Sequence, residues 1–140
     1  MKKIIFCMLV AMGGYTTTLA QINFVKGSSM SQVLAEAQKN KKIIFIDVYA
    51  TWCGPCKWMD EHTFLDKKVA EVYNKRFINF KVDGDTAEGG VVRNLYKVGA
   101  YPTYLFVTPD GKALHRIEGI MMPETFIDEA NFVLKKADEH

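Results

Sequence analysis

The chain has 140 residues, of which 49% are hydrophobic and 24% charged, and it carries a formal charge of +2. That length suits one compact domain and leaves no room for a second. No basic stripe supports nucleic-acid binding, and beyond the first twenty residues no run is long or apolar enough to span a bilayer.

Lys2 and Lys3 precede an apolar run over residues 4–12, and a polar stretch then ends in Thr18-Leu19-Ala20. A positive start, an apolar core too short to span a membrane and a small-residue end are the marks of a cleavable secretory signal. Residues 1–20 are therefore expected to be removed near Ala20, leaving 21–140 as a single domain in the periplasm or outside the cell. Loss of Lys2 and Lys3 takes the formal charge from +2 to zero, so the mild basicity belongs to the signal. Cys7 leaves with it, and Cys53 and Cys56 remain. Two cysteines are too few for a disulfide scaffold, which points to a chemical purpose.

In chain order, residues 22–25 are a short candidate edge strand. Ser29-Met30-Ser31-Gln32 has the spacing of a capping box, and Met30, Val33, Leu34 and Ala37 then share a helical face. Residues 43–49 are continuously apolar except for Asp47, as expected of a strand covered on both faces. The cysteine motif follows and opens a helical stretch, which Asp66 restarts with Val69, Val72 and Tyr73 at helical spacing. A second strand is expected over 77–82, then a helix carrying Val91, Val92, Leu95 and Tyr96 inward. Residues 103–107 and 113–117 read as a hairpin around Pro109-Asp110-Gly111, and a last helix starts at Pro123 and buries Phe126, Ile127, Ala130, Val133 and Leu134. Parallel strands joined by helices, closed by a hairpin and a helix, give an α/β fold: a central mixed sheet with helices on both faces.

The chemistry sits in Trp52-Cys53-Gly54-Pro55-Cys56-Lys57. A cysteine at the mouth of a helix faces unpaired N–H groups and the positive end of the helix dipole, and both stabilise a thiolate. Cys56 lies one turn further in, close enough for a disulfide and expected to be shielded from solvent. Cys53 is then the attacking thiol and Cys56 the resolving one. Pro55 fits within the first helical turn, where no intrahelical bond is lost. A structural disulfide and a structural zinc site are the alternatives. Zinc needs about two more ligands, and the remaining candidates, His62, His115 and His140, form no second close pair, so no metal is expected.

The run from Phe45 to Lys57 resembles the active-site strand and loop of the thioredoxin family. Tyr101-Pro102-Thr103 resembles that family's cis-proline loop, and Gly119 stands where the family has a glycine after its hairpin. The resemblance covers about residues 43–136 and implies a thioredoxin fold. It implies that Asp47 is the buried acid that relays the proton of Cys56. It also implies that Tyr101 and Pro102 present backbone to an extended peptide, with Trp52, Gly54 and Pro55 shaping the rim. Two departures stand out: Asn79 falls where a lysine near the buried acid is common, and Glu61 replaces a kinking proline. Residues 63–69 and Glu124-Thr125-Phe126 look more like the C-terminal domain of the periplasmic disulfide-reductase conduits.

The expectation is an exported thiol-disulfide oxidoreductase that reduces protein or peptide disulfides. It needs no bound cofactor, is recharged by a membrane thiol donor, and works as a monomer. A dithiol oxidase or isomerase is the alternative within redox chemistry; a non-catalytic binding module of the same fold is the alternative outside it. Lys57 reads as a solvated cation and Met121-Met122 as packing. Asp83-Gly84-Asp85 starts like a calcium loop but lacks the later glycine and glutamate, so it reads as a turn. Gly89-Gly90 reads as a loose helix start.

Overall fold

The computed structural model describes residues 20–139; the expected signal, with Cys7, lies almost entirely outside them. Helix α1 (Met30–Asn40) begins with the capping box: Gln32 N donates to Ser29 Oγ at 3.3 Å, and Ser29 N donates to Gln32 Oε1 at 2.8 Å. Strand β1 (Ile43–Tyr49) follows, then α2 (Gly54–Glu61), a short 3-10 turn over Thr63–Leu65, and α3 (Lys67–Arg76). Asp66 does restart the helix, its Oδ1 accepting from Lys68 N at 2.9 Å and Val69 N at 3.0 Å. Helix α2 ends at Glu61, the residue that departs from the family's kinking proline.

Strand β2 (Phe77–Asp83) leads to α4 (Ala87–Tyr96), the hairpin β3 (Thr103–Val107) and β4 (Ala113–Glu118), and α5 (Pro123–Asp138). The strand order is β2-β1-β3-β4, with β1 parallel to β2 and β3 antiparallel to both β1 and β4. This is the expected mixed sheet. Gly111, at φ +90°, supplies the left-handed residue that the hairpin turn needs.

Strand alternation divides the core in two. Ile44, Ile46 and Val48 of β1 join Ile78, Phe80 and Val82 of β2 and Leu105 and Val107 of β3 in a largely aliphatic layer with residues of α1 and α4. On the other face Phe45, Phe77, Tyr104 and Phe106 pack with Phe64, Tyr73 and Phe126. Phe45 is the hub of that layer, with ring centroids 4.8 Å from Tyr73, 5.3 Å from Phe106 and 5.6 Å from Phe126. Each fully buried aromatic of this kind contributes about 1.5–3 kcal/mol by area alone.

Four expectations change. In α4 only Val92 and Tyr96 of the four apolar residues turn inward; Val91 and Leu95 are 53% and 55% exposed. Neighbouring residues on a helix diverge by about 100°, and with Gly89, Val92 and Tyr96 turned inward, Val91 and Leu95 fall on the solvent side. The segment 22–25 forms no strand; a single parallel bridge joins Val25 to Phe80. Asn79 is not beside the buried acid. It pairs across from Phe45, and its Nδ2 donates to Asn74 Oδ1 at 3.2 Å, while Asn74 Nδ2 donates to Gln21 O at 2.9 Å. Asn79 thus helps to fasten the N-terminal segment. Finally, Gly89 sits in the first turn of α4 where a Cβ would strike the Asp83 carbonyl, so close packing rather than looseness calls for glycine.

Candidate active site

The end of β1 delivers the chain into a tight turn, with Cys53 N donating to Ala50 O at 3.1 Å, and Cys53 is the N-cap of α2. Its Sγ accepts from Cys56 N at 3.2 Å, and the two cysteines form a disulfide with Cα atoms 5.3 Å apart. Pro55 lies in the first helical turn, as expected. In this oxidised state both cysteines are equally buried, at 3% exposure, so no difference in shielding separates them. What separates them is position: Cys53 caps the helix, whereas Cys56 lies inside it.

Tyr101 and Pro102 are joined by a cis peptide, and Tyr101 packs against the cluster of Ala50, Cys53 and Cys56. Gly119 N donates to Pro102 O at 3.1 Å, tying the loop after β4 to this turn. Trp52 is 69% exposed, and its ring meets Tyr101 edge-on at 5.8 Å. Both residues converge on Asp85: Trp52 Nε1 donates to Oδ2 at 2.7 Å, and the Tyr101 hydroxyl donates to Oδ1 at 3.3 Å. Gly84 is required beneath this clamp, because a Cβ there would collide with the Tyr101 ring. Asp83-Gly84-Asp85 is a turn, with Asp85 N donating to Asp83 Oδ1 at 3.0 Å, but its second acid also fixes the rim around Cys53.

Asp47 is 1% exposed and lies on the aromatic face between Phe45 and Tyr49. Directly opposite in the parallel register stands Lys81, whose ammonium pairs with Asp47 Oδ2 and also reaches Asp60 Oδ1 on α2 at 2.8 Å. The Lys81 ammonium is further enclosed by Tyr49, Phe24 and Phe64, with ring centroids at 4.4, 5.3 and 5.4 Å. Asp47 Oδ1 has no hydrogen-bond partner among the protein's groups. Desolvation pushes the Asp47 carboxyl up to about 6, against the pull of Lys81. Burial alone would lower Lys81, but two carboxylates around one ammonium outweigh it and raise its proton affinity. Both directions follow from a cluster holding one positive and two negative charges.

Lys81, Asp60 and Asp85 did not emerge from sequence reasoning. Lys81 had a signal: pairing the starts of the two strands, Ile43 with Phe77, brings residue 81 opposite residue 47. Among the described residues, no group of three or more His, Cys, Asp or Glu side chains could hold a metal ion.

Residues 27–109 match a family model described as thioredoxin-like. The chain belongs to the thioredoxin-like family. Within it, the chain is 31% identical over 110 residues to rice thioredoxin Y, chloroplastic, covering 79% of this chain and 60% of that protein. It is 28% identical over 142 residues to the thiol:disulfide interchange protein DsbD of Pseudoalteromonas atlantica, covering 89% of this chain and 24% of that longer protein. Among solved structures, a Bacteroides thetaiotaomicron protein assigned as a disulphide-isomerase superposes with a TM-score of 0.73 at 32% identity, covering 84% of this chain and 96% of that one. The thioredoxin-like chain is therefore a member of a disulfide oxidoreductase family, with its Cys-x-x-Cys pair bonded at the mouth of α2.

Proposed function

We propose that this protein is an exported protein-disulfide reductase working through Cys53 and Cys56. The observation that carries the reading is the placement of a disulfide at the N-terminus of α2 with Cys53 as its cap, on a sheet that buries Asp47. In the reduced enzyme the Cys53 thiolate, stabilised by the helix N–H groups, attacks one sulfur of a substrate disulfide. A mixed disulfide forms, and the other substrate sulfur leaves as a thiolate and takes up a proton. Asp47 then accepts the proton of Cys56, and the Cys56 thiolate attacks Cys53. The mixed disulfide breaks, the substrate departs as a dithiol, and the enzyme holds the disulfide, two electrons poorer.

Tyr101 and Pro102 offer backbone to an extended peptide, and Trp52, Gly54 and Pro55 form the exposed rim against which it lies. A burial-raised acid suits proton exchange near neutral pH. Export rests on the sequence of residues 1–20, and the domain is then 21–140. A membrane thiol donor is the partner that suits this placement, and the likeness to a DsbD supports it. Among the described residues, no helix is long and apolar enough to cross a membrane.

The test is dithiol-driven reduction of insulin disulfides by the purified chain. A Cys53→Ser variant is expected to lose all turnover above the uncatalysed rate; retained turnover sinks the proposal. The isomerase reading has its own support in the Bacteroides thetaiotaomicron structure, and an oxidase is the other alternative within redox chemistry. The reduction potential separates reductant from oxidant. A value near about −270 mV, as for thioredoxin, fits a reductant, whereas one towards about −120 mV fits an oxidant and overturns the direction proposed.

A further inference from the structure

Asp60 lies outside the cysteine motif and outside the peptide-docking edge, yet its carboxylate shares Lys81 with Asp47. The three side chains run outward in exposure, from Asp47 at 2% through Lys81 at 11% to Asp60 at 41%. Asp60 and Lys81 open onto a cavity of about 510 Å³ beneath the N-terminal segment, with Gln21, Phe24 and Lys26 on its walls.

The charge balance around Lys81 makes this arrangement consequential. With one carboxylate, proton uptake by Asp47 would leave a mostly buried ammonium without an anionic partner, and a buried unpaired charge is strongly disfavoured. The lysine would then hold Asp47 ionised and make it a poor base for a thiol. With two carboxylates the cluster starts at one net negative charge and reaches neutrality when Asp47 is protonated, Lys81 staying paired to Asp60. We infer that Asp60 is a positioning residue: it keeps Lys81 neutralised while Asp47 holds the proton of Cys56, and so lets a lysine-paired acid work as a base. The inference rests on the proton-relay reading of Asp47 above.

The other titratable groups around the cluster do not substitute for it. Tyr104 of β3 and Tyr49 of β1 are both raised by burial and stay neutral in the working range. Tyr73 of α3, next to Tyr104, is raised well above the ordinary tyrosine range by burial. Asp83 acts on Tyr49, and Lys26 stands at the cavity wall without a salt bridge to either acid.

The experiment compares the wild-type chain with Asp60→Asn and Asp60→Glu. The Asp47 carboxyl is titrated by carbon-13 NMR in the oxidised protein, and the pH profile of insulin-disulfide reduction is recorded. Asp60→Asn is expected to move the Asp47 midpoint down from about 6 by about half a unit or more. The acid limb of the rate profile should follow it to lower pH, while the plateau drops about three- to tenfold, because a weaker base now takes the Cys56 proton. Asp60→Glu should restore both midpoint and plateau, which a mere loss of packing would not allow. An unchanged midpoint in Asp60→Asn overturns the inference, and so does a lowered midpoint with an unmoved rate profile. If the wild-type chain shows no Cys53-dependent turnover at any pH, the functional reading fails instead, while the NMR titration still decides the charge argument.

Discussion

The two faces of the sheet are built from the same strands but carry different chemistry. The face covered by α1 and α4 is hydrocarbon nearly throughout: Ile44, Ile46, Val48, Val82, Leu105 and Val107 meet Met30, Val33 and Val92. The face covered by α3 and α5 is aromatic and also holds Asp47, Asn79, Lys81 and the Tyr104 hydroxyl. Among the described residues, the three buried side-chain polar atoms without a hydrogen-bond partner, Asp47 Oδ1, Asn79 Oδ1 and Tyr104 Oη, all belong to this second face. The first face packs hydrocarbon; the second gives up part of its stability to hold a buried charge, at the place where the proposed relay moves a proton.

The sharpest way to break the comparison is to put the same side chain on each face at adjacent positions. Ile46→Asn places an amide in the aliphatic layer at a residue with 0% exposure. The lost packing costs about 2–5 kcal/mol and the unsatisfied amide about 1–3 more, together comparable to the whole stability of a small domain. The variant should unfold or lose most of its urea midpoint by circular dichroism. A transition within about 1 kcal/mol of wild type would mean that this face tolerates polarity and that the contrast is false.

Asp47→Asn, one residue on and on the opposite face, should do the reverse. The native state holds the Asp47 proton to about 6 against an ordinary value of 3.8, so ionisation destabilises the fold. Wild-type stability from this group is fully present below about pH 4 and is lost as pH rises through 6. The variant does not titrate, and Lys81 keeps Asp60 as its partner. Its advantage should therefore open between pH 4 and 6 and level off at about 3 kcal/mol, while reductase turnover falls. Urea midpoints measured at pH 4 and pH 7 check this; an equal difference at both values would remove Asp47 as the source of strain.

The aliphatic face was legible in the sequence because it is a matter of composition and period. A continuous apolar run marks β1, Ser29 and Asp66 mark helix starts, and Pro109-Asp110-Gly111 marks the hairpin. The polar face was legible only in part. Asp47 stood out as an acid inside an apolar strand, but its partner depends on strand register, which the pairing of strand starts could have supplied and the pattern of either strand alone does not report. The family resemblance put Asn79 near Asp47, two residues short of Lys81 and on a position that instead fastens the N-terminal segment. Asp60 and Asp85 are ordinary surface acids by composition, and their role appears once α2 and the loop after β2 are brought together in space. Val91 and Leu95 erred in the opposite sense, because apolar character was read as burial where the helix had room for one stripe.

The finest test concerns a single atom. Tyr104 is 0% exposed, and its hydroxyl finds no partner among the protein's groups, although Asp47 lies close enough to help raise its proton affinity after burial has done so. Tyr104→Phe removes that hydroxyl and leaves the ring in contact with Phe45, Phe64 and Phe126. Deleting an unsatisfied buried polar group without opening a cavity should leave stability unchanged or raise it by about 1 kcal/mol. A loss of more than about 1 kcal/mol in urea unfolding would show that the hydroxyl is bonded after all, through solvent shared with Asp47 Oδ1. The polar face would then be a connected network, and its strain would be confined to the charge on Asp47.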